Sequence, residues 1–259
     1  MKVSIVTVNL NGGPFLREAL TSVLAQDYRD LELIVIDGGS SDDSLDIIST
    51  TSEGDRRLRW LSQPDSGIAD AMNRGVSLAT GEIVGFLHSD DRYPANDVIA
   101  SVVRAFQANP DKSWLSGALI LINQRGEPLR TLPVRRYSWS RLLRANILFH
   151  PATFVRTAVL LDHPFDTGLR LAMDYDLWLR LGLRGAPLLL PQPLAAFRVH
   201  AGSCSVQSAD AAQAEEFAIR CRFLRAQGKS LIASRLQYVV KRLLNRYIVH
   251  AIQRESMRG

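Results

Sequence analysis

The sequence predicts an α/β fold with a doubly wound, Rossmann-like, mostly parallel sheet and a helical extension at its carboxyl end. Short apolar stretches alternate with amphipathic helical patterns through the first half of the chain. Strands that alternate with helices pair in parallel through right-handed crossovers. One apolar strand stops abruptly at two adjacent carboxylates, Asp90 and Asp91. Because ligands bind at the carboxyl edge of a parallel sheet, this strand end is the first candidate site.

The first four strands are predicted with the helices that connect them. Residues 3–8 form the first strand, and Pro14 suits the first turn of the helix that follows. A second strand at 33–36 ends at Asp37, and a helix begins near Asp42 with Ser41 or Asp42 as its cap. The next elements are a strand at 58–61, a helix at 68–79 and a strand at 83–87.

The second half of the chain follows a looser pattern. We expect a helix at 96–107, a strand at 114–122 and a turn at 124–128 into another strand. A short helix at 138–145 precedes a loop at 150–153. The remaining expectations are a helix opening at Met173, an end of the globular part at 197–200, and two helices beyond Asp210 that are broken near Gly228.

The composition is that of a globular protein of one domain with an appendage. The chain has 259 residues, of which 46% are hydrophobic and 22% charged. We place a domain at 1–205 and a basic helical tail at 206–259. Two cysteines, Cys204 and Cys221, make no disulfide framework and favour a reducing compartment. The amino terminus fits a strand better than a signal peptide, and no stretch reaches the ~20 apolar residues of a membrane span. The predicted location is the cytoplasm.

The basic charge is concentrated in the tail. Between Phe217 and Arg254 there are nine basic residues and no acidic one, so the remainder of the chain is net acidic. The high pI therefore describes the tail, and nucleic acid is not a predicted partner. Two interpretations of the tail stay open: docking on the anionic inner face of the cytoplasmic membrane, or packing on the core or on a second subunit. The apolar stripe behind both consists of Leu231, Ile232, Leu236, Val239, Val240, Leu243, Leu244, Tyr247, Ile248 and Ile252.

Six motifs in chain order carry a resemblance to a known family. They are Val6-Thr7-Val8-Asn9, Val35-Ile36-Asp37-Gly38-Gly39-Ser40-Ser41-Asp42, Asp65-Ser66-Gly67-Ile68-Ala69-Asp70-Ala71-Met72-Asn73-Arg74-Gly75, Ser89-Asp90-Asp91, Met173-Asp174-Tyr175-Asp176-Leu177-Trp178 and Arg198-Val199-His200. Together they resemble family 2 glycosyltransferases over about residues 1–205. More narrowly, they are similar to bacterial sugar transferases that assemble polysaccharide repeat units, such as those of O-antigen and colanic acid.

The resemblance implies a GT-A fold and an inverting transfer from a nucleotide-diphosphate sugar to a hydroxyl of a saccharide or lipid-linked acceptor. Thr7 and Asn9 would line the nucleotide pocket, and Asp37 would accept a hydrogen bond from the base. A carboxylate suits the imide N–H of uracil or thymine, so Thr7, Asn9 and Asp37 favour a pyrimidine base over guanine, though only weakly. A UDP-sugar is the favoured donor and a dTDP-sugar the alternative. Helix capping by Asp37 is the alternative.

The next motif would contact the rest of the donor. The resemblance places Asp65 and Asp70 at the donor sugar and ribose, and Asn73 or Arg74 near the diphosphate. A guanidinium neutralises phosphate oxygens well. Asp70 and Arg74 are also spaced i,i+4, so a simple ion pair on a helix surface is the alternative.

The predicted cofactor is a divalent cation, Mg²⁺ or Mn²⁺. Adjacent carboxylates repel unless a hard cation takes their oxygens. We expect Asp91 to bind the metal and Asp90 to contact the ribose or a bridging water. By resemblance His200 reaches the metal or the diphosphate, with a loop hydrogen bond as the alternative. His88 is either a ligand for a softer metal or a structural side chain.

Asp174 or Asp176 must supply the catalytic base. On one helix they point about 200° apart, so both cannot serve one site. Asp176 has the spacing of a surface ion pair with Arg180, whereas Asp174 shares a stripe with Trp178 and faces the core and the cleft. Both geometry and family motif select Asp174. Two other classes stay open: a sugar nucleotidyltransferase, which would carry a lysine-containing phosphate loop after the first strand, and a non-catalytic sugar-nucleotide-binding scaffold.

Overall fold

The computed structural model describes residues 1–200, 202–203 and 208–240. These residues form one eight-stranded sheet with helices on both faces. The strands are β1 Val3–Asn9, β2 Leu31–Asp37, β3 Leu58–Ser62, β4 Ile83–Phe86, β5 Trp114–Ile122, β6 Pro128–Leu132, β7 Thr153–Arg156 and β8 Leu188–Arg198. The helices are α1 Gly13–Leu24, α2 Ser44–Gly54, α3 Ile68–Leu78, α4 Val98–Ala108, α5 Trp139–Arg144, α6 Thr157–Asp162, α7 Met173–Arg184 and α8 Ala209–Ala226, with a 3-10 turn at His150–Ala152.

The sheet is parallel in its first half and mixed in its second. Its main path runs β3-β2-β1-β4-β7-β5-β6, and β8 pairs with β5. The pairs β3–β2, β2–β1 and β1–β4 are parallel, as is β5–β8, whereas β7 is antiparallel to both β4 and β5. The predicted α/β class with a mostly parallel, doubly wound sheet is confirmed.

The first strands contribute side chains to two hydrophobic cores, one on each face of the sheet, because successive side chains of a strand point to opposite faces. Val3 and Ile5 of β1 pack with α1, α2 and α4. Val6 and Val8 of the same strand pack with α3, α5 and α7 on the opposite face. These strands are therefore buried on both sides, which explains their continuous apolar sequence.

Three sequence expectations need correction. The loop predicted at 150–153 instead leads into β7, a four-residue strand that fills the place between β4 and β5. β8 was expected only as the end of the globular part, yet it spans Leu188–Arg198. α2 begins at Ser44, later than predicted, because the two Asp42 carboxylate oxygens accept hydrogen bonds from Ser44 N and from Gly13 N.

The chain after β8 folds back onto the domain. Ile219 of α8 belongs to the same core cluster as α5 and α7, with Phe223 and Leu224 packed against it. The chain breaks at Gly228, whose φ of 65° is left-handed, and residues 232–240 are helical again. The predicted boundary at 205/206 lies outside the described residues. Cys221 is a free, buried thiol, and Cys204 lies outside the described residues.

Candidate active site

The carboxyl ends of β1, β2 and β4 meet at one edge of the sheet. Asn9 and Asp37 are register partners at the ends of β1 and β2, and Asn9 Nδ2 donates to Asp37 Oδ1 over 2.8 Å. The turn after β1 approaches the loop after β4 closely: a Cβ placed on Gly12 would lie 2.6 Å from Ser89 Oγ. The structure thus brings together the first, second and fourth motifs.

Asp37 is the most heavily hydrogen-bonded carboxylate of this edge. Its oxygens accept from Asn9, from the backbone and hydroxyl of Ser40, from Gly39 N and from Ser62 Oγ. Burial raises the pKa of Asp37, but these donors outweigh it and hold the pKa below its usual value. The side chain is fully buried, so it orders the loop after β2. A direct hydrogen bond to a base, as the resemblance implied, would require one of these donors to be released.

The predicted site residues fall into two groups by exposure. Four are buried: Thr7, Asn9, Asp37 and Asp91. Six are partly exposed: Asp65, Asp70, Asn73, Arg74, Asp90 and Asp174. His200 belongs with the second group, because 15% of its side chain is exposed. Only the second group can meet a ligand without rearrangement.

Asp70 and Arg74 form the i,i+4 ion pair that the spacing allowed. Arg74 Nη2 lies 2.8 Å from Asp70 Oδ2, and Arg74 Nη1 donates to Pro64 O. Asn73 is occupied differently: its amide donates to Phe165 O and accepts from Phe165 N, both at 2.9 Å. Asn73 therefore fixes the loop before α7. Asp65 accepts from Gly67 N and faces Gly38 across the cleft.

The two adjacent carboxylates have opposite environments, and Asp91, the expected metal ligand, is the buried one. The Asp91 side chain is 1% exposed and its Oδ1 accepts from Arg198 N over 2.9 Å. Burial, together with the charge of Asp90, raises the pKa of Asp91 well above its usual value. Asp90 is 26% exposed and its Oδ2 lies 3.1 Å from His200 Nε2. The carboxylate that faces the cleft is therefore Asp90.

Arg198 holds this loop in place, a role the sequence did not reveal. Its guanidinium is buried, donates to Asp90 O and to Gln124 O, and pairs with Glu18 of α1. It also lies over the ring of Phe15, at 4.7 Å from the centroid. One side chain thus ties the end of β8 to the loop after β4, the turn after β5, and α1.

His88 and His150 form a stacked pair beneath the same loop. Their ring centroids are 5.1 Å apart, and His150 lies 6.1 Å from Trp178 of α7. Burial lowers the pKa of both imidazoles, and their proximity lowers that of His150 further. Neutral, stacked rings agree with the structural alternative for His88. This aromatic chain connects the loop after β4 to the helix that carries Asp174.

Asp174 lies in the first turn of α7 and is only partly buried. Its Oδ2 accepts from Asn146 Nδ2 over 3.1 Å, and its Oδ1 accepts from Tyr175 N. Burial raises the pKa of Asp174 to about 6 against these two hydrogen bonds, and the charge of Glu216 adds to the rise. Such a carboxylate is suited to general-base work near neutral pH.

Asp176 is the more buried of the two acids, contrary to the expected surface pair. Its side chain is 1% exposed and forms ion pairs with Arg180 and with Arg222 of α8. The choice of Asp174 as the candidate base thus rests on a different reason from the one the helical wheel supplied. Asp176 is enclosed by two guanidinium groups, whereas Asp174 keeps an open side.

Among the described residues, no group of three or more His, Cys, Asp or Glu side chains is arranged to hold a metal ion. Asp90 offers a carboxylate oxygen, which suits Mg²⁺ and Mn²⁺, and beside it His200 offers an imidazole nitrogen, which suits Mn²⁺ better than Mg²⁺. Because such ions commonly take their remaining ligands from water and from substrate phosphates, this pair fits a cation that binds together with a nucleotide diphosphate.

The fold, with a mostly parallel sheet between two layers of helices, is that of a GT-A glycosyltransferase. The family model described as glycosyl transferase family 2 matches residues 4–157. The chain belongs to this family, and it is an enzyme of the glycosyltransferase class.

Curated relatives and solved structures agree with this assignment. An uncharacterized glycosyltransferase of Mycobacterium tuberculosis is 32% identical over 194 residues, which cover 73% of this chain and 71% of the relative. The chondroitin synthase of Pasteurella multocida is 28% identical over 230 residues, covering 87% of this chain but 23% of that much longer protein.

Two solved structures share the fold at low sequence identity. Staphylococcus aureus TarS 1–349 in complex with UDP-GlcNAc has a TM-score of 0.67 at 20% identity, covering 86% of this chain and 67% of that one. The mannosyltransferase PcManGT of Pyrobaculum calidifontis, in complex with GDP-Man and Mn²⁺, has a TM-score of 0.64 at 21% identity, covering 85% and 64%.

Proposed function

We propose that this protein transfers a sugar, with inversion at the anomeric carbon, from a nucleotide-diphosphate donor to a hydroxyl of a saccharide or lipid-linked saccharide during polysaccharide assembly. The observation that carries the proposal is Asp174, a partly buried carboxylate with a raised pKa at the start of α7. The UDP-GlcNAc and GDP-Man in the structural neighbours support a nucleotide-sugar donor, with a UDP-sugar favoured.

Asp174 would remove the proton of the acceptor hydroxyl as its oxygen attacks the anomeric carbon from the face opposite the leaving group. Asn146 holds the carboxylate through Oδ2 and Tyr175 N holds it through Oδ1, so the base is oriented before substrate binds. A single displacement with one base inverts the anomeric configuration.

The leaving nucleotide diphosphate gathers negative charge on the opposite side. We assign its cation to Asp90 and His200, and we give Asp91 the role of fixing Arg198 N. A bound Mg²⁺ or Mn²⁺ ion would neutralise the charge that develops on the diphosphate. Arg74 reaches the same diphosphate only if it exchanges its pairing with Asp70 for a phosphate oxygen. Asp65 and Asp70 remain our candidates for the donor sugar and ribose, and Thr7, Asn9 and Asp37 for shaping the floor of the nucleotide pocket.

The experiment is a thermal-shift panel of the full chain with UDP-, dTDP- and GDP-sugars, each with Mg²⁺, with Mn²⁺ or with EDTA. A ligand at ~100 times its dissociation constant adds about 2.7 kcal/mol to the free energy of unfolding. We expect a UDP-sugar to give the largest shift, and EDTA to remove most of it. Asp90→Asn should lose the metal-dependent part, while Asp91→Asn retains it.

If Asp91→Asn loses the metal-dependent thermal shift and Asp90→Asn keeps it, Asp91 and not Asp90 is the metal ligand. Turnover is then followed as nucleotide release, with the anomeric configuration of the product read by NMR. Binding without any turnover would favour the scaffold, and synthesis of a nucleotide sugar from a nucleoside triphosphate and a sugar phosphate would favour the nucleotidyltransferase.

We further propose that helix 232–240 rests on an anionic membrane surface. Ile232 and Leu236 are 77% and 65% exposed, and Val239 and Val240 extend the same face at i+7 and i+8. The opposite face is used internally, because Ser234 is buried and Tyr238 stacks on Phe217. The sequence from 217 to 254 has nine basic residues, Arg235 on this helix among them, and no acidic one, which complements anionic lipid.

Part of the predicted apolar stripe and most of the basic residues beside it lie outside the described residues. These are Lys241, Arg242, Leu243, Leu244, Arg246, Tyr247, Ile248, Ile252 and Arg254. None of the helices that the structure describes has the length and apolar composition needed to span a bilayer.

A further inference from the structure

Glu215 of α8 binds the chain just before α7. Its carboxylate accepts hydrogen bonds from three consecutive backbone N–H groups, those of Arg170 (2.9 Å), Leu171 (2.7 Å) and Ala172 (2.6 Å). Backbone N–H groups at the start of a helix have no partners within the helix, and a negative charge there is favoured by the helix dipole. The three N–H groups end at Ala172, the N-cap of α7, so a residue more than forty positions away holds the segment that leads into the helix carrying the candidate base.

A second contact on the same face of α8 fixes its position along α7. Arg222 lies seven residues after Glu215, so the two side chains project from the same side of α8. Arg222 pairs with Asp176 in α7 and lies 3.5 Å from Asp166. Between them Ile219 enters the core shared with α5 and α7. α8 thus contacts α7 and the segment before it through Glu215 and Arg222, with the apolar contact of Ile219 between them.

We propose that Glu215 is a positioning residue for the base Asp174, an inference that rests on the proposed function. Asp174 follows the last of the three bound N–H groups by two residues, so a shift of this backbone moves its carboxylate. Displacement of a reacting group by about 1 Å can reduce a rate by ~10²-fold.

The three contacts also bear on the ionisation of Asp174. Glu215→Gln leaves one acceptor oxygen for three N–H groups and removes the negative charge that compensates their dipoles, so the less compensated dipoles just before α7 favour the ionised form of Asp174. The other groups that face Asp174 are Asn146, Tyr175 N and Glu216, which the substitution leaves in place. The pKa of Asp174 should therefore fall.

The test compares Glu215→Gln with Asp210→Asn. Both remove one negative charge from α8, but Asp210 is exposed in its first turn. We expect Glu215→Gln to reduce kcat about 10- to 100-fold with the donor that the thermal-shift panel selects, while the donor KM stays within about threefold. Asp210→Asn should match the wild-type enzyme.

A second readout needs no substrate. In protein carrying ¹³C-labelled aspartate, the carboxyl resonance of Asp174, assigned with Asp174→Asn, should titrate at lower pH in Glu215→Gln than in the wild type. A purely structural contact would lower Tm and leave both kcat and this titration unchanged, which would overturn the inference. If instead Asp174→Asn stays active, Asp174 is not the base. This outcome distinguishes failure of the proposed function from failure of the positioning role of Glu215.

Discussion

At the scale of single residues, environment separates pairs of acids that look equivalent in the sequence. Asp90 and Asp91 are neighbours, yet one faces the cleft beside His200 and the other is enclosed behind Arg198 N. Asp174 and Asp176 differ in the same way, because only Asp176 lies between two arginines. Groups whose surroundings differ so strongly are suited to different tasks.

Substitution of the two α7 acids should separate chemistry from stability. Asp174→Asn should abolish transfer, a loss of at least ~10³-fold in kcat, and leave the donor dissociation constant within a few-fold, because a base acts only in the transition state. Asp176→Asn should keep transfer and lower the free energy of unfolding by about 1–3 kcal/mol, because it weakens two charged hydrogen bonds at a buried position. Steady-state kinetics and urea unfolding measure the two effects. An inactive Asp176→Asn with an active Asp174→Asn would contradict this assignment.

The raised pKa of Asp174 gives a pH dependence with a definite sign. The base acts when ionised, so kcat should rise with pH through an apparent pKa of about 6 and level off above it. For stability the sign is opposite: the folded state holds this proton to higher pH than the unfolded chain, so folding is disfavoured as pH rises from about 4 to about 6. Asp174→Asn should therefore raise Tm relative to wild type at pH 8 and have little such effect at pH 4. A kcat that falls as pH rises through 6 would exclude Asp174 as the base.

At the scale of elements, α3 approaches β1 closely. A Cβ on Gly75 would lie 2.3 Å from Cγ1 of Val6, a fully buried residue of the central strand. The motif that includes Asp70 and Arg74 therefore lies on a helix whose glycine is required by contact with the sheet.

Gly75→Ala should destabilise the protein despite the better helix propensity of alanine. The propensity gain is about 1 kcal/mol, whereas overpacking in a tight core costs about 1–3 kcal/mol, and the cost should win because Val6 has no room to shift. Gly54→Ala is the control: it also lies in a helix, but nothing stands within 4 Å of its added Cβ. Urea unfolding should show a lower midpoint for Gly75→Ala and an equal or higher one for Gly54→Ala. Equal midpoints would mean that α3 can move away from β1.

Most of the element pattern was predictable, and its failures have local causes. The strands before Ile122 follow from apolar runs bounded by turn residues. β7 was missed because four residues carry little periodic signal, and its strand conformation comes from filling the place between β4 and β5. β8 was underestimated because its two prolines read as loop in the sequence, although they lie at irregular points of the β5 pairing.

At the scale of the whole molecule, α8 shares a hydrophobic core with α5 and α7. α8 supplies Glu215 and Ile219 to the surroundings of α7, so a chain shortened near 210 would lose parts of the site together with the tail. Membrane docking must therefore be tested with point substitutions on the exposed face of helix 232–240.

The double substitution Leu236→Glu/Val240→Glu should release the full chain from anionic vesicles. Each exposed apolar side chain contributes about 1.5–3 kcal/mol when buried, so the loss should exceed tenfold in partition coefficient. Co-sedimentation with phosphatidylglycerol vesicles at low salt measures it, with phosphatidylcholine vesicles alongside. Leu129→Glu, at a similarly exposed leucine on β6, is the matched control.

Wild-type binding should also weaken in high salt, since the basic residues act through a screened field. Absence of wild-type binding, or equal binding by the double variant, would overturn docking. A change of oligomeric state in the double variant would assign the face to a second subunit.

The sequence by itself determined the α/β class, the order of the main elements and the family, because these depend on local periodicity and on motifs that are contiguous in the chain. It also supplied the candidate acids. Only the tertiary structure decided which acid of each pair is exposed. Asp90 lies beside His200 and Asp91 accepts from Arg198 N, while Asp174 accepts from Asn146 and Asp176 pairs with Arg222. Each of these partners is distant in sequence from the acid that it contacts. Glu215 carries no local signal at all. Its role exists because packing brings α8 against α7, where burial and charge depend on groups that the order of residues does not place together.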